Sequence, residues 1–556
     1  MRTPQLFISH HKDWRWPEGA IVYQIYPRSL QDSNNDGVGD LPGITSRLGY
    51  LQDLGINAIW LSPFYLSPMI DFGYDVSDHK AVDPIFGTLA DFKAMLKEAH
   101  SRDIRVMIDL VPNHTSDEHV WFKESRSSRN NPKANWYIWK DPHPDSEPGR
   151  QLAPNNWRDA LSGESAWQWV PERGQFYLHS FDRRQPDLNW TSPAVREAIK
   201  DVMRFWLDMG VDGFRVDAGD WLAKDPLFRD DDRNPEFVSG EDRRYEALAH
   251  NNSRGWPTLY AHLSEIAGVL KEASYAKHPR FMVTEAYPPR HNPLASYVAF
   301  YEAIDPLVAA PFNFEGIFLP WKAGDWRRFL RAFHKALDDL GSKGVASYAY
   351  GNHDRIRLAS RLGEASARSV AIMQMTLPGL VFVYYGEELG MQNVPIPAPF
   401  IRDPQARDDP HYSRDPERTP MQWNDDINAG FSKAKTTWLP VGEDYKTRNV
   451  EAEKKDPHSF YNLYRTLARL RNQSPALQHG QLQVLELGHP DLLGYVRSEK
   501  DEFYIVLINF SNKPVTAVPG VKLRRLLVSS HAQTKLADGI DGKVELLPHE
   551  GALFLQ

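Results

Sequence analysis

Short apolar segments alternate with segments of helical spacing over most of the chain, and this pattern predicts a parallel α/β fold. The predicted strands are rich in β-branched and aromatic residues. In chain order they are Ile21–Ser29, Asn57–Ser62, Arg105–Leu110, Gly213–Ala218, Phe281–Ala286, Val345–Tyr350 and Leu380–Tyr385. Predicted helices include Ile44–Leu54, Ala90–Ser101 and Pro193–Met209. We count about eight strand–helix units, which is the number expected for a (β/α)8 TIM barrel.

The alternation of predicted strands and helices stops in one long stretch, and near the end of the chain it is replaced by short strands alone. Residues 113–183 are rich in Trp, Asn, Pro and Ser. Because about 70 residues without regular structure are unusual inside a barrel, we interpret them as an inserted subdomain after the third strand. The predicted organisation is a first part of the barrel at 1–112, the inserted subdomain at 113–183, the rest of the barrel at 184–473 with a long irregular loop at 393–450, and a C-terminal antiparallel β domain at 474–556.

Composition excludes several classes of protein. The chain has 65 basic and 73 acidic residues, a net charge of −8, which argues against a nucleic-acid-binding protein. It has no cysteine, so disulfides and thiolate chemistry are impossible. No apolar run is long enough for a membrane span, and Met1–Trp16 lacks the apolar region of a signal peptide. We therefore expect a cytoplasmic protein without membrane or nucleic-acid partners.

A polar loop after the first strand has the pattern of a cation site. Oxygen-bearing residues alternate along it, and a glycine stands at the sixth position, as in a calcium loop. The expected side-chain ligands, with one backbone carbonyl from Val38, are Asp32, Asn34, Asp36 and Asp40. The twelfth position is Gly43 rather than Glu, so we expect a structural Ca²⁺ or Mg²⁺ rather than a calcium sensor. The alternative is an Asn/Asp/Gly turn without metal.

The strand Gly213–Ala218 places Arg215 and Asp217 on the same face, because side chains alternate along a strand. A structural ion pair is one interpretation. Other polar residues at predicted strand ends change this view, since functional groups of a barrel lie where strands end and loops begin. These residues are Asn113, His114, Glu285, His353 and Asp354.

Carboxylates on three different strands suit the cleavage of glycosidic bonds. One carboxylate attacks the sugar, a second donates and later removes a proton, and a third holds sugar hydroxyls. A metal site is the alternative, but no His-x-x-x-His or Glu-x-x-His pair occurs at these strand ends.

Eight segments resemble the α-amylase family of glycoside hydrolases (glycoside hydrolase family thirteen), in its branch of α-glucosidases and oligo-1,6-glucosidases. The segments are Ala20–Ser29, Asp71–Asp78, Asp109–Ser116, Gln185–Trp190, Gly213–Ala218, Val283–Tyr287, Tyr350–Asp354 and Arg414–Trp423. The resemblance covers about 16–471 in order. Beyond it, the C-terminal region matches in position and character.

This resemblance implies a retaining mechanism with three catalytic carboxylates. Asp217 would be the nucleophile that forms a covalent β-glucosyl intermediate, and Glu285 would be the general acid and base. Arg215 would keep Asp217 ionised, because a nearby cation lowers the pKa of a carboxyl group. Asp354 would bind the 2- and 3-hydroxyls and help to distort the ring.

The resemblance also implies a closed pocket for one sugar. His114 and His353 would donate hydrogen bonds to hydroxyls of that sugar, and Tyr74 would stack on its ring. Asp75 and Arg414 would grip the non-reducing end and close the pocket. This closure favours exo-action on short α-glucosides, with no organic cofactor and with the protein as a monomer or homodimer.

Bond preference is predicted from the residue after the nucleophile. In this branch Val accompanies α-1,6 cleavage, whereas smaller residues accompany α-1,4 cleavage. Ala218 therefore predicts maltose-type substrates, with sucrose as a further candidate and transglucosylation as a side reaction. The alternatives are an oligo-1,6-glucosidase, a glucosyltransferase or isomerase of the sucrose isomerase or trehalose synthase type, and a non-catalytic relative. The intact carboxylates argue against the last of these.

Overall fold

The computed structural model describes residues 16–285, 287, 292–341, 345–407, 409–531 and 542–556. Eight parallel strands form one sheet, which confirms the predicted barrel. In chain order they are Ile21–Ile25, Ala58–Leu61, Arg105–Leu110, Gly213–Val216, Phe281–Thr284, Ala309–Pro311, Ser347–Ala349 and Leu380–Tyr384. The two end strands of the sheet, the sixth and seventh of the chain, are also bonded: Ala349 N–H donates to Asn313 O at 3.3 Å, and Ser347 Oγ donates to Pro311 O at 2.6 Å.

Two strand predictions need correction. The first strand ends at Ile25 rather than Ser29, because Pro27 begins the one-turn helix Pro27–Leu30. The sixth strand, Ala309–Pro311, carries little strand signal in its three residues, and it has no counterpart among the strands named from sequence. Of the predicted strand Phe281–Ala286, Ala286 lies outside the described residues, as do the first fifteen residues of the N-terminal segment.

Helices surround the strands and bury one apolar face against them. The helix Leu41–Leu54 begins at Asp40, whose side chain accepts from Gly43 N, and ends at Gly55 in the left-handed conformation. The longer helices that follow are Leu89–Ser101, Pro193–Met209, Leu259–Val269, Pro293–Ala303, Ala323–Asp339, Glu364–Thr376 and Phe460–Gln473. Shorter ones are Val120–Ser127, Glu315–Phe318, Leu358–Leu362, Val450–Lys455 and Pro475–Gln478. No helix in the described ranges combines the length and the apolar character needed to cross a membrane.

The stretch between the third and fourth barrel strands has structure of its own. It contains the antiparallel strands Trp139–Lys140, Trp167–Val170 and Gln175–Leu178. Trp157 and Trp167 pack with Phe176 in a separate apolar cluster, as expected for core tryptophans. This sheet was not predicted from sequence, since its strands are short and interrupted. The boundaries 113–183 stay a prediction.

The C-terminal region forms the expected antiparallel sheet. Its strands are Gln481–Val484, Leu492–Glu499, Glu502–Asn509, Arg525–Ser529 and Gly551–Leu555. Two further strand pairs are Val515–Ala517 with Val544–Leu546 and Tyr65–Leu66 with Asp78–Val82. In the described part of 393–450, short 3-10 turns such as Pro404–Ala406 and Asp415–Glu417 replace long elements.

Candidate active site

Arg215 binds three carboxylates at the carboxyl ends of neighbouring strands. Its Nη1 lies 2.7 Å from Asp109 Oδ1 and 2.7 Å from Asp217 Oδ1, and its Nη2 lies 2.8 Å from Glu285 Oε2. Parallel register explains the convergence, because Arg215 lies opposite Asp109 on one side and Val283 on the other. We call these four residues the Arg215 cluster.

One guanidinium is too little positive charge for three buried carboxylates. Burial raises the pKa of Asp109 to about 6, although Arg215 opposes the rise. Burial also raises the pKa of Asp217 well above its usual range, and the nearby Glu285 and Asp109 add to this effect. Arg215 therefore lowers the pKa of Asp217 as expected from the sequence but does not offset the other causes. Together these effects favour a protonated carboxyl group within the Arg215 cluster.

The backbone after Asp217 brings Glu285 close to it. Ala218 adopts the left-handed conformation with φ 48° and ψ 38°, and its N–H donates to Glu285 Oε2 at 3.0 Å. The next residue must be glycine, because a Cβ at Gly219 would lie 2.5 Å from Thr284 Cγ2. A strained turn next to a carboxylate pair is typical of a functional site.

A second group of carboxylates surrounds Arg414. Its guanidinium lies 3.0 Å from Asp71 Oδ1, 3.0 Å from Asp354 Oδ1 and 2.7 Å from Asp403 Oδ1. Arg418 Nη2 also binds Asp354 Oδ1, at 2.9 Å. We call Asp71, Asp354, Asp403, Arg414 and Arg418 the Arg414 cluster.

In the Arg414 cluster, nearby positive charges lower the pKa of two of the three carboxyl groups by more than burial raises it. Burial alone would raise the pKa of Asp354, but His353, Arg414 and Arg418 together hold it well below its usual range. In the same way the pKa of Asp403 is lowered to about 2 against the effect of burial. Asp71 differs, because burial raises its pKa to about 6.

The structure places Asp75 differently from the expectation. Its carboxylate accepts from Ser67 Oγ at 2.9 Å and from the N–H groups of Ile70 and Asp71 at 2.9 and 3.0 Å. It therefore stabilises its own loop, and Asp71 instead of Asp75 pairs with Arg414.

The predicted histidines lie beside the carboxylates and are neutral at pH 7. Burial lowers the pKa of His353 to about 3 and that of His114 to about 4. His353 Nε2 lies 2.7 Å from Tyr74 Oη, and the two rings are parallel with centroids 5.4 Å apart. Tyr74 is thus in place beside the site, with one neighbour already stacked on it. His114 Nε2 lies 3.2 Å from Gln185 Nε2.

Sequence reasoning missed several members of the site. Asp71 lies in the same motif as Asp75, and the sequence alone does not show which of the two aspartates pairs with Arg414. Asp403 lies in an irregular loop where no periodicity marks it, and no feature of the sequence assigned Arg418 to the site. Asp109 had no predicted role, yet it shares Arg215 with the two central carboxylates.

The predicted cation loop is closed by its own hydrogen bonds. Asp32 accepts from the N–H groups of Asn34, Asn35 and Gly37, and both oxygens of Asp40 accept from loop or helix groups. The all-oxygen donor set is of the type that Ca²⁺ or Mg²⁺ prefers, but both oxygens of Asp32 and one oxygen of Asp40 each already accept two hydrogen bonds. Moreover, no three acidic or histidine side chains within the described ranges are grouped as a metal site. The metal stays a prediction.

Comparison with known proteins places this site in a family. The family model for the α-amylase catalytic domain matches residues 24–480. Maltase 1 of Drosophila virilis is 38% identical over 567 residues, covering 97% of this chain and 86% of that protein. Oligo-1,6-glucosidase of Parageobacillus thermoglucosidasius is 38% identical over 551 residues, covering 93% and 95%.

Solved structures agree with the sequence comparison. A mutant of the trehalulose synthase MutB in complex with Tris superposes with a TM-score of 0.86 at 33% identity, covering 98% of this chain and 100% of that chain. The match includes the barrel and the C-terminal sheet. The chain therefore belongs to the α-amylase family of glycoside hydrolases, in the branch of the α-glucosidases and oligo-1,6-glucosidases, and it is a glycoside hydrolase.

Proposed function

We propose that the protein is a retaining, exo-acting α-glucosidase that releases glucose from short α-glucosides. The observation that carries this proposal is the binding of Asp217 and Glu285 to the two terminal nitrogens of one guanidinium. Carboxylates held in this way lie close together. This suits the roughly 5–5.5 Å separation of a retaining pair better than the roughly 6.5–9.5 Å of an inverting pair.

The reaction would proceed in two displacements. Asp217 attacks the anomeric carbon while Glu285 gives its proton to the departing oxygen, and a β-glucosyl ester forms on Asp217. Glu285 then takes a proton from water, the water attacks, and α-glucose leaves. This reaction requires Asp217 to be ionised and one proton to lie on Glu285, and burial together with the like charges of Asp217, Glu285 and Asp109 favours one shared proton in the cluster.

The Arg414 cluster supports recognition of a single terminal sugar. Asp354 stays ionised and is suited to accept hydrogen bonds from the 2- and 3-hydroxyls, and the neutral His353 and His114 are suited to bind hydroxyls beside it. In our proposal Asp71 takes over the role expected of Asp75, together with Arg414. The paired charges of this cluster support a closed pocket for a single terminal sugar, and therefore exo-action.

For bond preference we propose α-1,4 substrates of the maltose type, with sucrose as the second candidate. Ala218 supports this choice, and the similarity to a maltase agrees with it. The second candidate function is transfer of the glucosyl group to a sugar hydroxyl in place of water. The similarity to a trehalulose synthase favours considering it, because the same carboxylates serve both outcomes.

Product analysis with maltose, isomaltose, sucrose and trehalose tests these alternatives. Mostly free glucose from maltose supports the α-1,4 glucosidase. Rapid use of isomaltose contradicts the inference from Ala218 and leaves the mechanism intact. New disaccharides with little glucose favour the transferase or isomerase.

Two variants test the mechanism itself. Asp217→Ala is expected to abolish turnover, whereas Glu285→Gln is expected to accumulate a glucosyl ester from an activated aryl glucoside, visible by mass spectrometry as a covalent adduct on Asp217. Normal turnover by Asp217→Ala would contradict the covalent intermediate.

A further inference from the structure

Arg355, directly after Asp354, carries a positive charge without a carboxylate partner. Its guanidinium carbon lies 5.5 Å from the ring centroid of Tyr287 and 5.1 Å from that of Phe318, and its buried Nε has no hydrogen-bond partner. Asp354 gives its carboxylate to two other arginines. Aromatic faces therefore hold this guanidinium in place without neutralising it.

Arg243 is held in a similar way. Its Nη2 donates to the carbonyl oxygens of Ala160 and Leu161, and its guanidinium carbon lies 5.6 Å from the ring centroid of Tyr412. Backbone carbonyls and an aromatic ring orient the guanidinium group of Arg243, but none of them carries a negative charge to balance it.

The two guanidiniums border the same apolar cluster. Ala160, whose carbonyl oxygen accepts from Arg243, and Tyr287, whose ring lies beside Arg355, both pack against the cluster of Ala218, Trp221 and Tyr245 next to Asp217. Burial lowers the pKa of Arg243, Glu246 opposes this shift, and the positive charges of Arg414 and Arg355 add to it. Throughout the described ranges, no carboxylate lies within 4.0 Å of either Arg243 or Arg355. Buried or half-buried charges are normally paired, so two neighbouring cations without an anion point to a ligand that supplies one.

This pair lies on the side of the site from which the leaving group departs. Glu285 protonates the leaving oxygen in the proposed reaction, and Tyr287 follows it by two residues. The ring of Tyr287, which lies beside Arg355, packs against the cluster that contains Ala218, the residue directly after Asp217.

We propose that Arg243 and Arg355 form an oxyanion clamp that selects α-glucosides whose leaving group carries a carboxylate or a phosphate. The planar forks of two arginines match the oxygens of either group. This inference rests on the proposed glucosidase function and names the substrate class of the same site. In transfer, the same clamp selects anionic acceptors.

The experiment compares matched aryl α-glucosides. The 4-carboxyphenyl and 4-carbamoylphenyl α-glucosides differ in charge at one position, and a phenyl α-glucoside with a 4-phosphate ester distinguishes phosphate from carboxylate. We expect the ratio of kcat/KM for the anionic over the neutral compound to be at least about tenfold and to fall with added salt. In Arg355→Gln and Arg243→Gln the ratio falls by about tenfold or more. Losses common to both substrates cancel in this ratio.

Arg244→Gln is the matched control, because it removes the same charge one residue from Arg243. Arg244 is exposed and paired with Glu164, so its variant is expected to keep the ratio. A wild-type ratio near one, or an equal ratio in all three variants, overturns the clamp. Turnover of the neutral 4-nitrophenyl α-glucoside by the wild-type protein distinguishes the two proposals. If the wild-type protein does not hydrolyse this compound, the glucosidase function itself is contradicted, whatever the ratio for the charged substrates. If the variants do not fold, the wild-type ratio and its salt dependence decide alone.

Discussion

The Arg215 cluster and the Arg414 cluster are built from the same groups and differ in protonation. Each gathers three carboxylates, all buried except the half-buried Asp354, but the first has one guanidinium and the second has two. With one cation, burial raises the pKa of Asp109 and Asp217. With two, the pKa of Asp354 and Asp403 falls. The ratio of arginines to carboxylates thus separates a group that holds a proton from one that stays anionic.

This difference matches two tasks in the proposed reaction. Acid–base chemistry needs a proton near neutral pH, whereas binding of sugar hydroxyls needs a permanent acceptor. Asp71 is the exception in the Arg414 cluster, because its pKa is raised to about 6. Arg414 donates to Asp71 through one nitrogen at 3.0 Å, which does not offset the burial of Asp71, whereas Asp403 accepts from the backbone N–H, Nε and Nη2 of Arg414.

The largest effect is expected from removing the single cation of the first cluster. Arg215→Gln leaves three carboxylates without a counter-charge, and we expect a loss of about 3–5 kcal/mol in the free energy of unfolding. We also expect at least a 10²-fold loss in kcat/KM on a neutral aryl glucoside. Urea unfolding and initial rates at pH 7 measure both.

Arg418→Gln is the matched change in the second cluster. Arg414 remains bound to Asp354, so the expected loss of stability is only about 1–3 kcal/mol. Equal losses in the two variants would falsify the view that the arginine count distinguishes the clusters.

A smaller effect is expected when Asp403 loses its charge. Asp403→Asn weakens the bond that orients Arg414, so we expect KM to rise more than kcat falls. The lowered pKa of about 2, against an ordinary 3.8, corresponds to roughly 2 kcal/mol of stability at neutral pH. Asp403→Glu keeps the charge and is expected to restore part of both. A fall in kcat with unchanged KM would assign Asp403 to the chemistry instead.

The sequence predicted those members of the clusters that regular structure positions. Arg215 lies in a strand, and Asp217, Glu285 and Asp354 follow strands. Period-two alternation and parallel register bring Arg215 close to the carboxylates of the neighbouring strands. The family resemblance then gave their expected roles, which stay predictions.

Residues positioned by loops could not be predicted in this way. Asp71 and Asp75 occur in the same motif, and only the turn that engages Asp75 with the N–H groups of Ile70 and Asp71 distinguishes them. Asp403 reaches Arg414 because Asp415 binds the N–H groups of residues 402 and 403, a tertiary contact without a local pattern. The barrel was therefore predictable, whereas three of the five members of the Arg414 cluster were not.

The pH dependence of stability sharpens the comparison with one variant from each cluster. The raised pKa of Asp109 means that it stabilises the fold below pH 3.8 and loses that effect as pH rises through about 6. The lowered pKa of Asp403 means that its stabilisation is complete above pH 3.8 and is lost only as pH falls through about 2.

Between pH 4 and pH 7, Asp109→Asn is therefore expected to gain up to about 3 kcal/mol relative to the wild type, because Asn resembles the protonated acid. Asp403→Asn is expected to show a constant difference over the same range. Urea unfolding at half-unit steps of pH measures both curves. Parallel curves for the two variants would show that the clusters do not differ in protonation.

The smallest effect is expected at a third set of carboxylates, which has no arginine at all. Asp32, Asp36 and Asp40 are neutralised only by N–H and hydroxyl groups of their own loop and of Ser432. If their residual charge attracts a hard cation, as the alternating oxygens predict, Ca²⁺ or Mg²⁺ stabilises the folded chain by mass action. We expect millimolar Ca²⁺ to raise Tm by about 2–5 °C over the chelated protein and Asp36→Asn to remove most of that shift. Asp91→Asn, which alters a helix-capping carboxylate on another element, is the control and keeps the shift. An unchanged Tm with both cations would mean that hydrogen bonds from the loop itself and from Ser432 satisfy these carboxylates without a metal.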